Sequence, residues 1–325
     1  MVGSSSLSSP AEFRRDFAAL AAMMQRSWAD NRNQALLYNE VFLRSAFEYP
    51  GASSKLAPAV YVDGRIVGFI AGFPRSVVWD ARPTRLVLNT FLTASKEVKG
   101  AGLSLTLWAA LIERSREEGY EGTINFCVEG DEMNRAIPGI SRLLRLNTQR
   151  IYSVEFLVRI LNTTSAREPL NQVSDQDIDL FLELAAALPN DSPLMRSWTR
   201  AEAEWQCRDR AGALTVSSRV GGRRGVLGGY LTEVASTPPV TTVVLEDLLW
   251  GDLEPGERTE LVAKFLRIAA MRGARTASCP ILGYSPLDAL LAARFRRSNR
   301  VLHTYLTFWN GLQPRPVKSL YIDVL

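Results

Sequence analysis

Residues 85–136 read RLVLNTFLTASKEVKGAGLSLTLWAALIERSREEGYEGTINFCVEGDEMNRA, and their order decides how the rest of the chain is read. A Val/Leu/Thr/Phe run opens the stretch with strand character, and Thr123 to Val128 near its end has the same character. Between them Leu103, Leu107, Ala110, Leu111 and Arg114 fall on successive turns of an amphipathic helix, with Gly119 placed to end it. The junction of first strand and helix is Val98-Lys99-Gly100-Ala101-Gly102. Glycines there let the backbone approach a ligand, and the helix N-terminus that follows turns unpaired N–H groups outward. Such a corner suits a phosphate group. A glycine turn alone is weak evidence, since many strand-to-helix corners need one for the bend. The sequence strand, glycine turn, helix, strand, then Asn134-Arg135-Ala136 is more specific.

That order resembles the GNAT superfamily of acyl-CoA-dependent N-acyltransferases, whose cofactor motif is Arg/Gln-x-x-Gly-x-Gly/Ala between a strand and a helix. Glu97-Val98-Lys99-Gly100-Ala101-Gly102 occupies the motif, and Asn134 falls where the family commonly has an Asn after its next strand. The resemblance widens upstream. Phe42-Leu43, Tyr49-Pro50-Gly51 and Ile66-Val67-Gly68-Phe69-Ile70-Ala71-Gly72-Phe73-Pro74 look like the N-terminal half of the N-myristoyltransferases, which are built of two GNAT copies. The departure is Glu97, a carboxylate where the family carries Arg or Gln. The resemblance implies an α/β fold of two tandem GNAT-like mixed sheets flanked by helices, in an N-myristoyltransferase-like arrangement.

The whole chain is compatible with this. Its 325 residues suffice for two domains with sizeable cores, and 46% hydrophobic with 22% charged residues is the balance of a soluble protein. No apolar run approaches the roughly 20 residues that span a bilayer. Cys127, Cys207 and Cys279 are odd in number and match no metal spacing, so no metal site is expected and a reducing, cytoplasmic setting is the simplest reading. Residues 1–10 are Ser-rich without a basic or apolar region and read as a flexible tail, not a signal peptide. The net charge of +4 fits a phosphate-bearing co-substrate or an acidic carrier protein as well as it fits a modest excess of solvated arginines. No aromatic and basic pattern points to nucleic acid.

In chain order, residues 11–30 and 34–47 read as helices. Residues 59–62 and 66–73 read as strands joined by a tight turn at Asp63-Gly64. Residues 76–79 and 86–94 follow as strands, then a short helix around 140–146 and a strand at 151–160. This completes one domain, 11–162, that carries the cofactor corner. A polar stretch with Pro169 marks 163–177 as a linker. The remainder, 178–325, repeats the first half: Gly221 to Tyr230 as turn and strand, Thr241 to Trp250 as central strand, Leu261 to Arg272 as helix, Thr276 to Leu282 as strand. A helix over 286–297 and a strand over 301–309 follow. Repetition at half the chain length is a strong organisational signal. In place of the glycine turn the second copy has Asp252-Leu253-Glu254-Pro255-Gly256-Glu257, whose carboxylates cannot cradle phosphate. One cofactor site is therefore expected, in the first half, with the degenerate second half contributing to the acceptor pocket.

The resemblance implies roles for particular residues. The acyl donor, acyl-CoA or the acyl-phosphopantetheine of a carrier protein, is expected at Phe91, Leu92, Thr93, Val98, Lys99, Gly100, Ala101, Gly102, Leu103, Ser104 and Asn134. Backbone N–H groups of the central strand meet the oxyanion in this family, which places Asn89, Thr90, Phe91 and Leu92 at the reacting carbonyl. The side chains of Asn89 and Thr90 either add donors or are ordinary strand residues. Lys99 either meets a cofactor phosphate or is a solvated turn lysine. Glu97 either disfavours a pyrophosphate, and so favours a carrier-protein donor, or faces solvent.

For the base that takes the amine proton three places are open. Glu246 and Asp247 are adjacent acids in the second copy's central strand, and alternation puts one on each face unless the strand is a solvated edge. Leu325 matches the N-myristoyltransferase terminus, where the terminal carboxylate is the base. The only histidine, His303, reads as a packed strand residue, and Cys127 as core. The activity implied is transfer of a medium or long acyl chain to an amine, with a peptide as a plausible acceptor. A small-molecule N-acetyltransferase of resistance or mycothiol-like type and a non-catalytic acyl-CoA-binding protein are the alternatives.

Overall fold

The computed structural model describes residues 9–28, 36–98, 102–162, 173–188 and 192–324. The first half runs β1 (Ala11–Glu12), α1 (Phe17–Trp28), α2 (Glu40–Ala46), β2 (Pro58–Val62), β3 (Arg65–Trp79) and β4 (Arg82–Ala94). It continues with α3 (Leu103–Glu117), β5 (Gly122–Val128), α4 (Glu132–Leu143) and β6 (Asn147–Ile160). Both leading helices start later than their hydrophobic spacing suggests, because caps set the start. The Asp16 side chain accepts from the Ala19 N–H at 3.0 Å, and the Asn39 side chain accepts from the Phe42 N–H at 2.9 Å. The two strands expected over 66–79 are one. Pro74 pairs with Val87 of β4, and β2 ends its pairing at Phe69, so the missing proline N–H faces an edge without a partner strand.

The second half runs α5 (Asp175–Ala186), β7 (Leu194–Arg196), α6 (Arg200–Glu204), β8 (Ala213–Val220), β9 (Arg223–Val234) and β10 (Val240–Leu249). It ends with α7 (Pro255–Met271), β11 (Thr276–Ile281), α8 (Asp288–Ala292), β12 (Arg296–Phe308) and β13 (Leu320–Tyr321). α5 begins inside the stretch read as linker, because Ser174 caps it: its hydroxyl accepts from the Asp177 N–H at 3.3 Å.

Among the described residues the strands form one sheet in the order β1-β2-β3-β4-β5-β12-β6-β11-β10-β9-β8, with β7 on β3 and β13 on β7. The repeat is visible in it. β4 lies parallel to β5, β10 lies parallel to β11, and each pair is joined by a long helix, α3 or α7. The two mixed sheets meet because β12, late in sequence, inserts between β5 and β6. One continuous sheet therefore runs through both halves.

Each crossover helix is held by its apolar face. Leu103, Leu107 and Leu111 of α3 are buried, and a Cβ on Gly68 of β3 would sit 2.7 Å from Leu103 Cδ2. The glycine thus lets α3 lie directly on the sheet, which fixes the corner entered from β4. On the other half Leu261, Val262, Phe265 and Leu266 of α7 are buried in the same manner. Full burial of one such side chain is worth about 1.5–3 kcal/mol, so each helix is anchored mainly by packing.

Candidate active site

β4 and β5 pair in register from Leu86↔Gly122 to Asn89↔Asn125 and then part. At the same level β4 slips against β3: Phe69 pairs with Thr93, yet Ala71 pairs with Thr90, so β4 carries an extra residue. The slip is a β-bulge, and Phe91 within it has φ +62. A left-handed backbone is costly for a bulky residue. It is tolerated because the Phe91 ring packs edge-on against Tyr38 at 5.2 Å and Phe73 at 6.0 Å between centroids. A bulge bends its strand and turns its backbone groups out of the ladder. Here Phe91 and Leu92, the residues of the bulge, both line the cavity at the gap left by β5.

That gap opens into a cavity of about 940 Å³. Asn89, Thr90, Phe91 and Leu92 line it from β4, with Asn125 and Cys127 from β5. Ile70, Trp108, Met133 and Ile137 supply an apolar wall under α3 and α4. Among the described residues the Asn89 amide is buried with neither its oxygen nor its nitrogen hydrogen-bonded, and the Asn125 amide nitrogen is also without a partner. Buried polar groups are normally satisfied, and two unmet amides at the parting of two strands suit a ligand with polar groups of its own. Cys127 does not suit a nucleophile: burial pushes its thiol up to about 12, and Asp131 adds to the shift.

The second half repeats the device with different chemistry. β10 pairs with β11 up to Val244↔Ser278, and its register with β9 slips between Leu245 and Asp247, leaving Glu246 in the bulge. β10 is flanked on both sides, so Glu246 is not on the solvated edge that its sequence allowed. Glu246 is among the residues that line the cavity, with its side chain buried. One oxygen, Oε2, accepts from Arg210 Nη1 at 2.9 Å and Gln206 Nε2 at 3.1 Å. The other, Oε1, is buried without a partner among the described residues. Burial raises the Glu246 pKa above the ordinary range, against the pull of Arg210. Asp247 points away, accepting from Tyr321 Oη at 2.9 Å and from Gln206 Nε2 at 3.0 Å. Gln206 belongs to a single π-helical turn, Trp205–Asp209, a wide turn often found at functional sites.

The remaining expected residues are distributed as follows. Val98 ends a 3₁₀ turn beginning at Lys96, where Glu97 is exposed. Gly102, at φ +71, is the N-cap of α3 and offers no side-chain cap, so the first N–H groups of that helix are not met from the cap position. Ser104 is half-buried in the first turn, and Leu103 is a core residue. Lys99, Gly100, Ala101 and Leu325 lie outside the described residues. Thr93 is buried and its hydroxyl donates to the Phe91 carbonyl at 3.1 Å, which braces the bulge. Asn134 accepts from Tyr305 Oη at 2.6 Å and does not line the cavity. His303 is buried against Ser153, 3.0 Å from its hydroxyl, and also stays out of the cavity. Val324, next to the chain end, lines the cavity.

Neither a family model nor a curated protein matches this sequence. In three dimensions the chain superposes on Saccharomyces cerevisiae N-myristoyltransferase with bound myristoyl-CoA, with a TM-score of 0.73 at 13% identity, covering 95% of this chain and 81% of that one. The fold is that of the N-myristoyltransferases. A GCN5-related N-acetyltransferase from Kribbella flavida also matches, with a TM-score of 0.52 at 16% identity over 92% of this chain and 70% of that one. Another from Anabaena variabilis gives 0.52 at 12% identity. Identities this low speak for the fold alone. Within that fold, the parting of β4 from β5 belongs to the first half and the Glu246 bulge to the second, and residues of both halves line the cavity.

Proposed function

We propose that this protein is an N-acyltransferase that takes a medium or long acyl chain from acyl-CoA and joins it to an amine. The observation that carries the reading is the bulge at Phe91 and Leu92 where β4 leaves β5. Its strand N–H groups meet a carbonyl oxygen there, the arrangement that stabilises an oxyanion. The amides of Asn89 and Asn125 hold the pantetheine or thioester carbonyl at the same level. Lys99, Gly100, Ala101 and Gly102, with the uncapped start of α3, receive the phosphates. Glu97 faces solvent, which favours free acyl-CoA over a carrier-protein donor.

The amine nitrogen attacks the thioester carbon, forming the C–N bond. The N–H groups at Phe91 and Leu92 meet the oxyanion. Glu246 accepts the proton lost by nitrogen, the C–S bond breaks, and the thiolate leaves and is protonated as CoA. The raised pKa of Glu246 suits a base working near neutrality. The cavity lies at the upper end of the ~300–1,000 Å³ usual for small-molecule sites, and its wall under α3 and α4 is apolar, which favours a fatty acyl chain over acetyl. Yeast N-myristoyltransferase was solved with myristoyl-CoA in the same fold.

The test is a thermal-shift and turnover series with acetyl-, octanoyl- and myristoyl-CoA against a panel of amines, followed by free-thiol release and product mass. Stabilisation that grows with chain length, and an amide product, are expected. Binding without any amide would leave a non-catalytic acyl-CoA-binding protein. No binding of any thioester would end the reading.

A further inference from the structure

The cavity continues from the parted strands onto the face of β10, β11, β6 and β12, and there it changes character. Arg159, Arg294, Arg296 and Arg300 line it, against the acids Asp131 and Glu246. Across the sheet Pro280 of β11 pairs with Phe156 of β6, and both line the cavity. Opposite Phe156, β12 is irregular: Arg297 pairs with Leu157 and Val301 with Glu155, so three residues of β12 face one of β6. The extra residues re-aim the strand, as bulges do beside functional sites. They put Ser298 and Arg300 on the cavity wall, and the Arg300 guanidinium lies 5.8 Å from the centre of the Phe156 ring. Arg300 Nε is buried and makes no hydrogen bond among the described residues.

Glu246 and Arg300 thus stand at opposite ends of one row of the sheet, with Pro280 and Phe156 as an apolar floor between them. Glu246 extends that row by two residues beyond its last pair, Val244↔Ser278. Their strands are three interstrand spacings apart, roughly 14 Å at the backbone, and both residues line the cavity. They are also linked electrostatically: Arg300 is in reach of Tyr38 and Tyr230, and Tyr230 is in reach of Glu246. Asp131 is the acid within reach of Arg300. One end of the row offers an unmet carboxylate oxygen, the other an unmet guanidinium N–H.

We propose that the acceptor is a small zwitterion: an amine held at Glu246 Oε1, with an anionic group a few bonds away held by Arg300. This rests on the acyltransferase reading and narrows its acceptor from any amine to one carrying its own anion, a carboxylate or a phosphate. Arginine is suited to both, since its planar N–H fork matches either anion. A cationic amine without an anion would leave Arg300 unmet and would meet the repulsion of the arginine wall.

Calorimetry on the intact protein, alone and with a non-reacting myristoyl-CoA thioether, tests this with two matched pairs: leucine against leucinamide, and O-phosphoethanolamine against ethanolamine. The zwitterion of at least one pair should bind about tenfold or more tightly than its partner, the gain expected of one charge-assisted hydrogen bond. Which pair shows the gain tells carboxylate from phosphate. Arg300→Gln should remove the preference, and Arg300→Lys should keep part of it. Equal or weaker binding of the zwitterion in both pairs overturns the proposal, as does an undiminished preference in Arg300→Gln. The wild-type comparison needs no variant to fold. A failed acyltransferase reading shows separately, as absence of thioether binding.

Discussion

Asn89 of β4 and Asn125 of β5 are the last register partners of their two strands, and among the described residues the Asn89 amide and the Asn125 amide nitrogen are buried without a hydrogen-bond partner. An unmet buried amide costs about 1–3 kcal/mol, so the pair is maintained against stability. Asn89→Ala should therefore unfold at or above the parent's melting temperature while binding the acyl-CoA thioether roughly 3- to 10-fold more weakly, the loss of one neutral hydrogen bond. Thermal unfolding and a thioether titration on the same sample check it. A melting point several degrees lower with unchanged affinity would make Asn89 a packing residue.

Glu246 lines the cavity, and its Oε1 is buried without a hydrogen-bond partner among the described residues. Glu246→Gln keeps its shape and an oxygen for Arg210 but cannot take a proton. Turnover should fall by about 10²–10⁴, the usual share of a general base, with acyl-CoA affinity retained. In the parent, log kcat should rise with pH along an acidic limb placed above the ordinary glutamate range, because burial raises this pKa. The limb should vanish in the variant. If it persists, the proton goes elsewhere.

The halves of the site differ in how much of them can be read from the sequence. Asn89 through Leu92 stand in a strand with a strong local pattern, immediately before the glycine corner, so the fold resemblance reaches them. Glu246 stands out as an acid in an apolar strand. Asn125, Gln206, Arg210 and Arg300 do not stand out, because what gives them meaning is made by distant chain. β12 must insert between β5 and β6 before Arg300 can face Phe156, and nothing near Arg300 in sequence signals that insertion. One local signal does exist. Gly228 and Gly229 lie in β9 opposite the Glu246 bulge, where a Cβ on Gly229 would sit 2.1 Å from the Val244 carbonyl oxygen. Two glycines inside a strand mark a close approach of this kind.

The end of the described chain is tied to both halves by charge. Asp323 accepts from Arg75 Nε at 3.0 Å and lies 3.4 Å from Arg196 Nε, all three groups being buried. Arg196 also reaches Glu202 at 2.7 Å. Asp323→Asn leaves buried guanidinium charge uncompensated and should cost about 3–5 kcal/mol, read as a shift in the urea midpoint at pH 7. Burial opposes ionisation of Asp323, yet Arg75 and Arg196 outweigh it and hold its carboxyl below the usual range. Its contribution is therefore complete above the unfolded aspartate pKa and is lost as pH falls through the lower folded value. The cost of the substitution should shrink toward pH 2–3, and a cost independent of acid would show that the pair is not what holds the terminus.

Asp247 has the opposite sign. Burial pushes its carboxyl up to about 7, with Glu246 adding to the shift and hydrogen bonds from Gln206 and Tyr321 resisting it. An unfolded aspartate titrates near pH 3.9. Between about 4 and 7 the folded protein holds a proton here that the unfolded chain has released, so this group's effect on stability worsens as pH rises through that window. Below about 4 both states are protonated and the penalty is absent; above about 7 both are ionised and it is complete. Asp247→Asn keeps the shape and cannot ionise. The stability of the variant relative to the parent should therefore climb from pH 4.5 to pH 8 and level off beyond. Paired urea titrations at those two values decide it: a constant difference would place the Asp247 carboxylate in contact with water or with an uncounted cation.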